Sequence, residues 1–166
     1  MLWEKYVNSL RVLVEDKHLT LNPAAGIEKI QHLENYLGSN IPDFLKQIYL
    51  VNDGQPVDSI PVFPEAHEFL PVDDVKLVYS QLSDVAKSEA GCLWKKEWLP
   101  IAQTIGGGVI CFDITGADGV VQFYPEDETE KRLEISLDGY LESLIKLIEQ
   151  NKVRYLKDDR YFTLKN

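Results

Sequence analysis

Residues 98–113 read WLPIAQTIGGGVICFD, two apolar runs separated by three consecutive glycines. Glycine loses more backbone freedom on folding than any other residue, so three together need a conformational reason. Either an anionic group approaches the backbone there, or the chain reverses tightly. A dinucleotide fingerprint needs GxGxxG after a strand and before a helix, and a phosphate loop needs GxxxxGKS or GxxxxGKT. Gly106, Gly107 and Gly108 instead precede the strand-like run Val109–Ile114, and no Lys or Arg occurs from Glu97 to Glu130. A phosphate there would lack its usual cations. The reading left is a tight connection between two antiparallel strands, with glycine supplying positive φ.

The strands on either side sit among helices. Trp3, Tyr6, Val7, Leu10 and Val14 recur at helical spacing and predict an amphipathic helix over 3–16. Ile27, Ile30, Leu33 and Leu37 mark a second helix, closed by Gly38 as a C-cap. Pro42 fits the first position of a third, with Leu45, Ile48 and Tyr49 inward, and Asn52-Asp53-Gly54 ends it. Residues 55–72 hold four prolines and read as an irregular connector with a short strand near Phe69. Asp73 has the chemistry of an N-cap for a fourth helix through Val75, Val78, Leu82 and Val85, to about Lys87.

After Trp98–Gln103 and the glycines, TGADG at 115–119 is turn chemistry, and Val120–Tyr124 is a third strand. Pro125–Glu130 reads as an acidic turn and Arg132–Ile135 as a fourth strand. Ser136 is a good N-cap for a last helix whose apolar face runs from Leu137 to Ile148. The tail after it has the pattern of a short hairpin or strand. Strands at hairpin spacing predict an α+β fold: a mostly antiparallel sheet of about four or more strands with helices packed around it. The expectation is one domain over 1–166, with the 3–16 helix and the 151–166 tail as extensions of a core.

Catalytic chemistry is hard to find. No serine stands in GxSxG, and His18, His32 and His67 are scattered. Cys92 and Cys111 form no CxxC, have no histidine at metal-ligand spacing, and fit a reduced compartment; Cys111 reads as a core thiol. Neither a cofactor nor a metal is expected. Asp113, ending a strand, is either a cap for the following turn or a group facing a partner.

Charge is the feature that survives. Lys plus Arg number 17 and Asp plus Glu 27, a formal net charge of −10. Such a surface disfavours nucleic acid and anionic membranes. No run approaches a membrane span, the N-terminus is unlike a signal peptide, and a cytoplasmic protein is expected. The acidity is clustered. Residues 52–74 hold six acidic side chains and 97–130 seven, with no Lys or Arg in either, whereas 152–165 hold five basic and two acidic ones. If the two acidic segments lie side by side, they form an electronegative face that steers a cationic partner. The candidate contacts are Asp53, Asp58, Glu65, Glu68, Asp113, Glu126, Asp127 and Glu128.

The ordered set Ile27-Glu28, Leu33-Glu34, Leu37-Gly38, Ile41-Pro42-Asp43-Phe44, Tyr49 and Asn52-Asp53-Gly54-Gln55 resembles the N-terminal half of the SUKH superfamily, Smi/Knr type. That branch is named for a yeast cell-wall assembly regulator. Trp98-Leu99-Pro100-Ile101-Ala102, the glycines, Cys111-Phe112-Asp113, Gly119-Val120-Val121 and Ser136 with its helix continue the likeness over about 25–150. The resemblance implies an α+β binding module without known catalysis. Bacterial members are commonly immunity proteins that neutralise polymorphic toxins, often nucleases; fungal members are regulatory scaffolds. The chain is close to a bare domain, and its acidity suits a basic toxin, so immunity is the leading expectation. A regulatory scaffold is the alternative, and a hydrolase using Asp113 stands a distant third.

Overall fold

The computed structural model describes residues 1–14, 18–88 and 92–165. The element order is α1 (Leu2–Val14), α2 (Ile27–Leu37), α3 (Asp43–Tyr49), β1 (Glu68–Phe69), α4 (Val72–Ser88), β2 (Trp98–Gln103), β3 (Val109–Asp113), β4 (Val120–Tyr124), β5 (Thr129–Glu134), α5 (Leu137–Glu149), β6 (Val153–Leu156) and β7 (Tyr161–Leu164). Strands β1 to β5 form one antiparallel sheet in sequential order, and β6 and β7 pair as a separate hairpin. This is the expected α+β architecture, with five sheet strands and an additional ribbon. Residues 15 and 16, at the end of the first expected helix, lie outside the described residues.

Alternate residues along the sheet point to opposite sides. Ile110 faces α5, whose Tyr140 and Leu144 line the same cavity as Ile110. Phe123, opposite Val109 in register, faces the other way, where its ring lies 5.8 Å from Trp98 and 6.0 Å from Trp94. Trp94 in turn meets Tyr79 of α4 at 5.9 Å. The sheet is therefore covered by α5 on one face, with α1 packed along it, and by α4 on the other, with α2 beside it. One continuous cluster of buried side chains includes Trp3 of α1, Leu141 of α5 and Phe162 of β7. The N-terminal helix and C-terminal hairpin thus contribute to the core they were expected to extend. The central strand β3 is buried along its whole length, Cys111 included, because both faces are covered.

Local chemistry explains most boundaries. Gly38 ends α2 at φ 66°, and the Ser39 amide returns to Glu34 O. Ser136 caps α5, its hydroxyl accepting from the Gly139 amide at 3.2 Å. Three expectations need correcting. Pro42 is the N-cap of α3, with helical residues starting at Asp43. Asp73 lies inside the first turn of α4, and the cap comes from elsewhere: Asp53 Oδ1 accepts the Val72 amide at 2.7 Å. Strand β5 starts at Thr129, three residues earlier than expected, because main-chain pairing such as Tyr124 opposite Thr129 continues through an exposed, charged edge that shows no apolar alternation.

The connector between α3 and α4 is organised by Asn52, Asp53, Gly54 and Gln55. Asn52 accepts from Trp3 Nε1 at 3.0 Å and donates to Asn22 O. Gly54 sits at φ 69°, where an added Cβ would lie 2.2 Å from Pro71 N, so no larger residue fits. Gln55 is buried; its Oε1 accepts from the amides of Val62 and Phe69, and its Nε2 donates to Ile60 O. One side chain satisfies three main-chain groups of a segment that has little secondary structure of its own.

Candidate functional site

The glycine run is the turn of the β2–β3 hairpin. The Thr104 amide donates to Gly108 O at 2.8 Å, and Gly107 adopts φ 82°. Gly108 is required for a different reason. A Cβ there would meet the Tyr124 ring at 2.4 Å, so the ring of β4 packs against bare backbone. The turn carries Ile105 at its tip, fully exposed.

Antiparallel order puts the end of β2, the start of β3 and the end of β4 at one end of the sheet. Glu68, opposite Gln103, is there too. Electrostatics tie the neighbouring acids together. Burial and then the nearby Asp58 charge raise the Glu68 carboxyl above its ordinary value. Burial, followed by Glu65 and Asp127, does the same to the Tyr124 phenol. Asp58, Glu65, Glu68 and Asp127 therefore share this end, and exposed Glu126 and Glu128 belong to the same β4–β5 turn as Asp127. Like charges held together raise the local negative potential and cost some stability, which a partner of opposite sign relieves.

The remaining two candidates lie elsewhere. Asp53 is 8% exposed and faces α2 and α4, where it caps Val72 and accepts from Lys29 Nζ at 3.2 Å. Asp113 is 2% exposed at the opposite end of β3. Its Oδ1 accepts from the Thr115 amide and hydroxyl at 2.8 and 2.6 Å, and its Oδ2 accepts from the Asp118 amide at 2.8 Å. Both carboxylates are occupied in holding loops together. The two acidic segments thus meet in part only: the 58–68 stretch joins the 126–128 turn, whereas 53, 73, 74 and 113–118 are placed apart.

Two features of this end were not among the sequence candidates. Val57 is 84% exposed beside Asp58, and Ile105 tops the glycine turn. Apolar side chains within acidic surroundings are what an interface centre with a polar rim requires. The sequence signal was an isoleucine between a threonine and three glycines, a turn position with no core to fill. The basic tail is the other feature. Arg160 donates to Asp58 O at 2.9 Å, Phe162 O accepts the Glu65 amide, and the Thr163 hydroxyl donates to Glu65. The hairpin of opposite charge therefore supports the acidic connector from behind.

Buried beneath Glu65 and Glu68 is His67, with no exposed surface. Its Nδ1–H donates to Pro64 O at 2.8 Å, which leaves Nε2 as a bare acceptor with no donor among the described residues. Burial pushes the imidazole below its ordinary value, against the smaller opposing effects of the Pro64 hydrogen bond and Glu65. Among the described residues no three His, Cys, Asp or Glu side chains gather in a way that could hold a metal ion. No described helix is long and apolar enough to cross a membrane.

Residues 24–143 match the family model described as the SMI1 / KNR4 family (SUKH-1). No curated protein matches the chain. The matched span starts just before α2 and ends within α5, so it takes in the connector, the whole sheet and the acidic end.

Proposed function

The chain belongs to the SMI1/KNR4 (SUKH-1) family, a family of protein-binding and immunity-type modules, and we propose that it is a non-catalytic immunity protein that masks a basic toxin domain. The observation that carries this reading is the sheet end where Val57 and Ile105 stand among Asp58, Glu65, Glu68 and the 126–128 turn. Apolar tips supply the desolvated centre of a contact, and the carboxylates steer a cationic surface to it. A nuclease toxin fits, because its own substrate demands positive charge. Binding is stoichiometric, needs no cofactor and takes place in the cytoplasm. Asp53 and Asp113 act from within, shaping loops, while Asp58, Glu65, Glu68, Glu126, Asp127 and Glu128 meet the partner. Residues 1–166 act as one unit.

The test is affinity purification from the source cells with the native chain and with a Glu126→Lys, Asp127→Lys, Glu128→Lys variant. One dominant basic partner is expected, whose association slows at least about tenfold in the variant and weakens as salt rises. Affinity that is flat in salt removes the electrostatic mechanism. Recovery of several signalling or envelope-synthesis proteins instead of one basic partner makes the regulatory scaffold the correct reading.

A further inference from the structure

A second surface adjoins the acidic end at Glu65 and differs from it in chemistry. Between α5 and the face of β3–β5 lies an open cavity of about 310 Å³. Its floor is apolar, formed by Ile110, Leu133, Leu144 and Leu147. Beside it runs β5, the last strand of the sheet, with no strand on its outer side among the described residues. An edge strand presents unpaired N–H and C=O groups to any extended chain that reaches it.

The polar groups at this cavity are specific. Tyr140 is 6% exposed and lines it, and its hydroxyl is not among the enclosed polar atoms left without a partner, so the oxygen keeps access to the open cavity. Lys131 stands at the mouth on β5 and forms no ion pair among the described residues. Its neighbour Arg132 is committed elsewhere, donating from Nε to Asp118 O at 2.6 Å and from Nη2 to Ala117 O. The charged side chains that line the cavity are Lys131, Arg132 and Glu65, two cations against one carboxylate above an apolar slot.

We propose that β5 and this cavity together bind an extended peptide segment of a partner protein, added as a sixth strand, with apolar side chains alternating with acidic ones. Main-chain bonds to β5 supply the pairing. Every second side chain of the added strand falls on the face that carries Leu133, where the slot takes an aliphatic group and Tyr140 offers its hydroxyl. Lys131 selects a carboxylate. A lysine on a sheet edge deters indiscriminate pairing by apolar strands, and the same charge favours an acidic one. Of the acidic side chains, Glu65 in the cavity and Glu130 and Glu134 on β5 lie near, and those beyond about 8 Å are screened at physiological salt.

The test uses ¹⁵N-labelled full chain and three probes: a capped hexapeptide alternating leucine and glutamate, its leucine–lysine counterpart, and dodecanoate. The leucine–glutamate peptide is expected to shift and protect main-chain amides of β5 and to perturb Tyr140 and Leu147. In a Lys131→Glu variant, whose exposed position leaves the fold intact, affinity for that peptide falls at least about tenfold and the leucine–lysine peptide gains. Unmoved β5 amides at millimolar leucine–glutamate peptide overturn the proposal. So does an equal response to both peptides. Dodecanoate entering the slot while neither peptide moves β5 would make it a small-molecule site instead. The acidic end is tested by different substitutions, at Glu126, Asp127 and Glu128, so the failure of one proposal is distinguishable from the failure of the other.

Discussion

The Asp53 carboxylate accepts the Val72 amide at 2.7 Å, so the fourth helix is capped by a residue from the segment that ends the third. The same carboxylate receives Lys29 of the second helix. Three helices are tied at one buried point, and the sequence assigned that point to a partner contact.

Asp53→Ala is therefore expected to destabilise the chain by about 2 kcal/mol or more, the upper range for a lost N-cap plus a stranded amide. Asp53→Asn, which keeps the acceptor, should lose about half as much. Urea denaturation of the two variants checks this. Equal, negligible losses would show that the cap is not carrying stability.

Gly108→Ala drives a methyl group into the Tyr124 ring and should cost about 1–3 kcal/mol, whereas Gly106→Ala, whose nearest neighbour is Thr104 Oγ1 at 3.8 Å, should stay within about 0.5 kcal/mol. Thermal melts of the pair separate steric closeness from general glycine flexibility. Adding Tyr124→Ala to Gly108→Ala should restore part of the loss if the ring is the obstacle.

His67 makes stability depend on pH with a defined sign. Its folded-state value is lowered, so the unfolded chain binds the extra proton first. The stabilisation is complete above about pH 6.5 and is lost as pH falls below that toward the folded value, with a slope of at most about 1.4 kcal/mol per unit. Glu68 and Asp74, whose values are raised, act in the opposite sense and nearer the carboxylate range. Urea midpoints between pH 7.5 and 5 should decline for the native chain and flatten for His67→Gln. A decline that persists in the variant assigns the effect to another group.

Ile105→Asp should leave the urea midpoint unchanged, because the side chain touches nothing in the fold. Association with the proposed basic partner should weaken at least about tenfold if Ile105 lies at the centre of the contact. Asp113→Ala should do the reverse: lose stability by about 1–3 kcal/mol through stranded turn amides and leave the on-rate alone. Calorimetric melts and surface plasmon resonance on both variants distinguish the roles.

Local chemistry made much of this fold legible. The glycine hairpin, Gly38 and Ser136 were readable because each acts within a few residues of itself. The antiparallel sheet followed from strand spacing, and Asp113 from the turn it precedes. What the sequence could not reveal depends on distant partners. The cap of α4 moved from Asp73 to Asp53 because tertiary proximity supplied an acceptor that spacing could not. Strand β5 began earlier than its apolar pattern because edge pairing needs only main-chain groups. The acidic face was half legible: charge clustering is visible in one dimension, but register decides which clusters meet. Ile105 and Val57 carried a faint signal, apolar residues in turns, which gains meaning only when their exposure is known.

Gln55 has one more consequence. A carboxamide that presents an acceptor and a donor to Val62, Phe69 and Ile60 substitutes for a missing neighbouring strand. The connector between α3 and α4 then takes much of its shape from one inward side chain, and exposed positions such as Val57 carry less of that duty. Such a segment can accept different exposed side chains while its path stays the same, much as a fixed frame accepts different lettering. For a protein-binding module, the freedom to rewrite the display without rebuilding the frame is the property that counts.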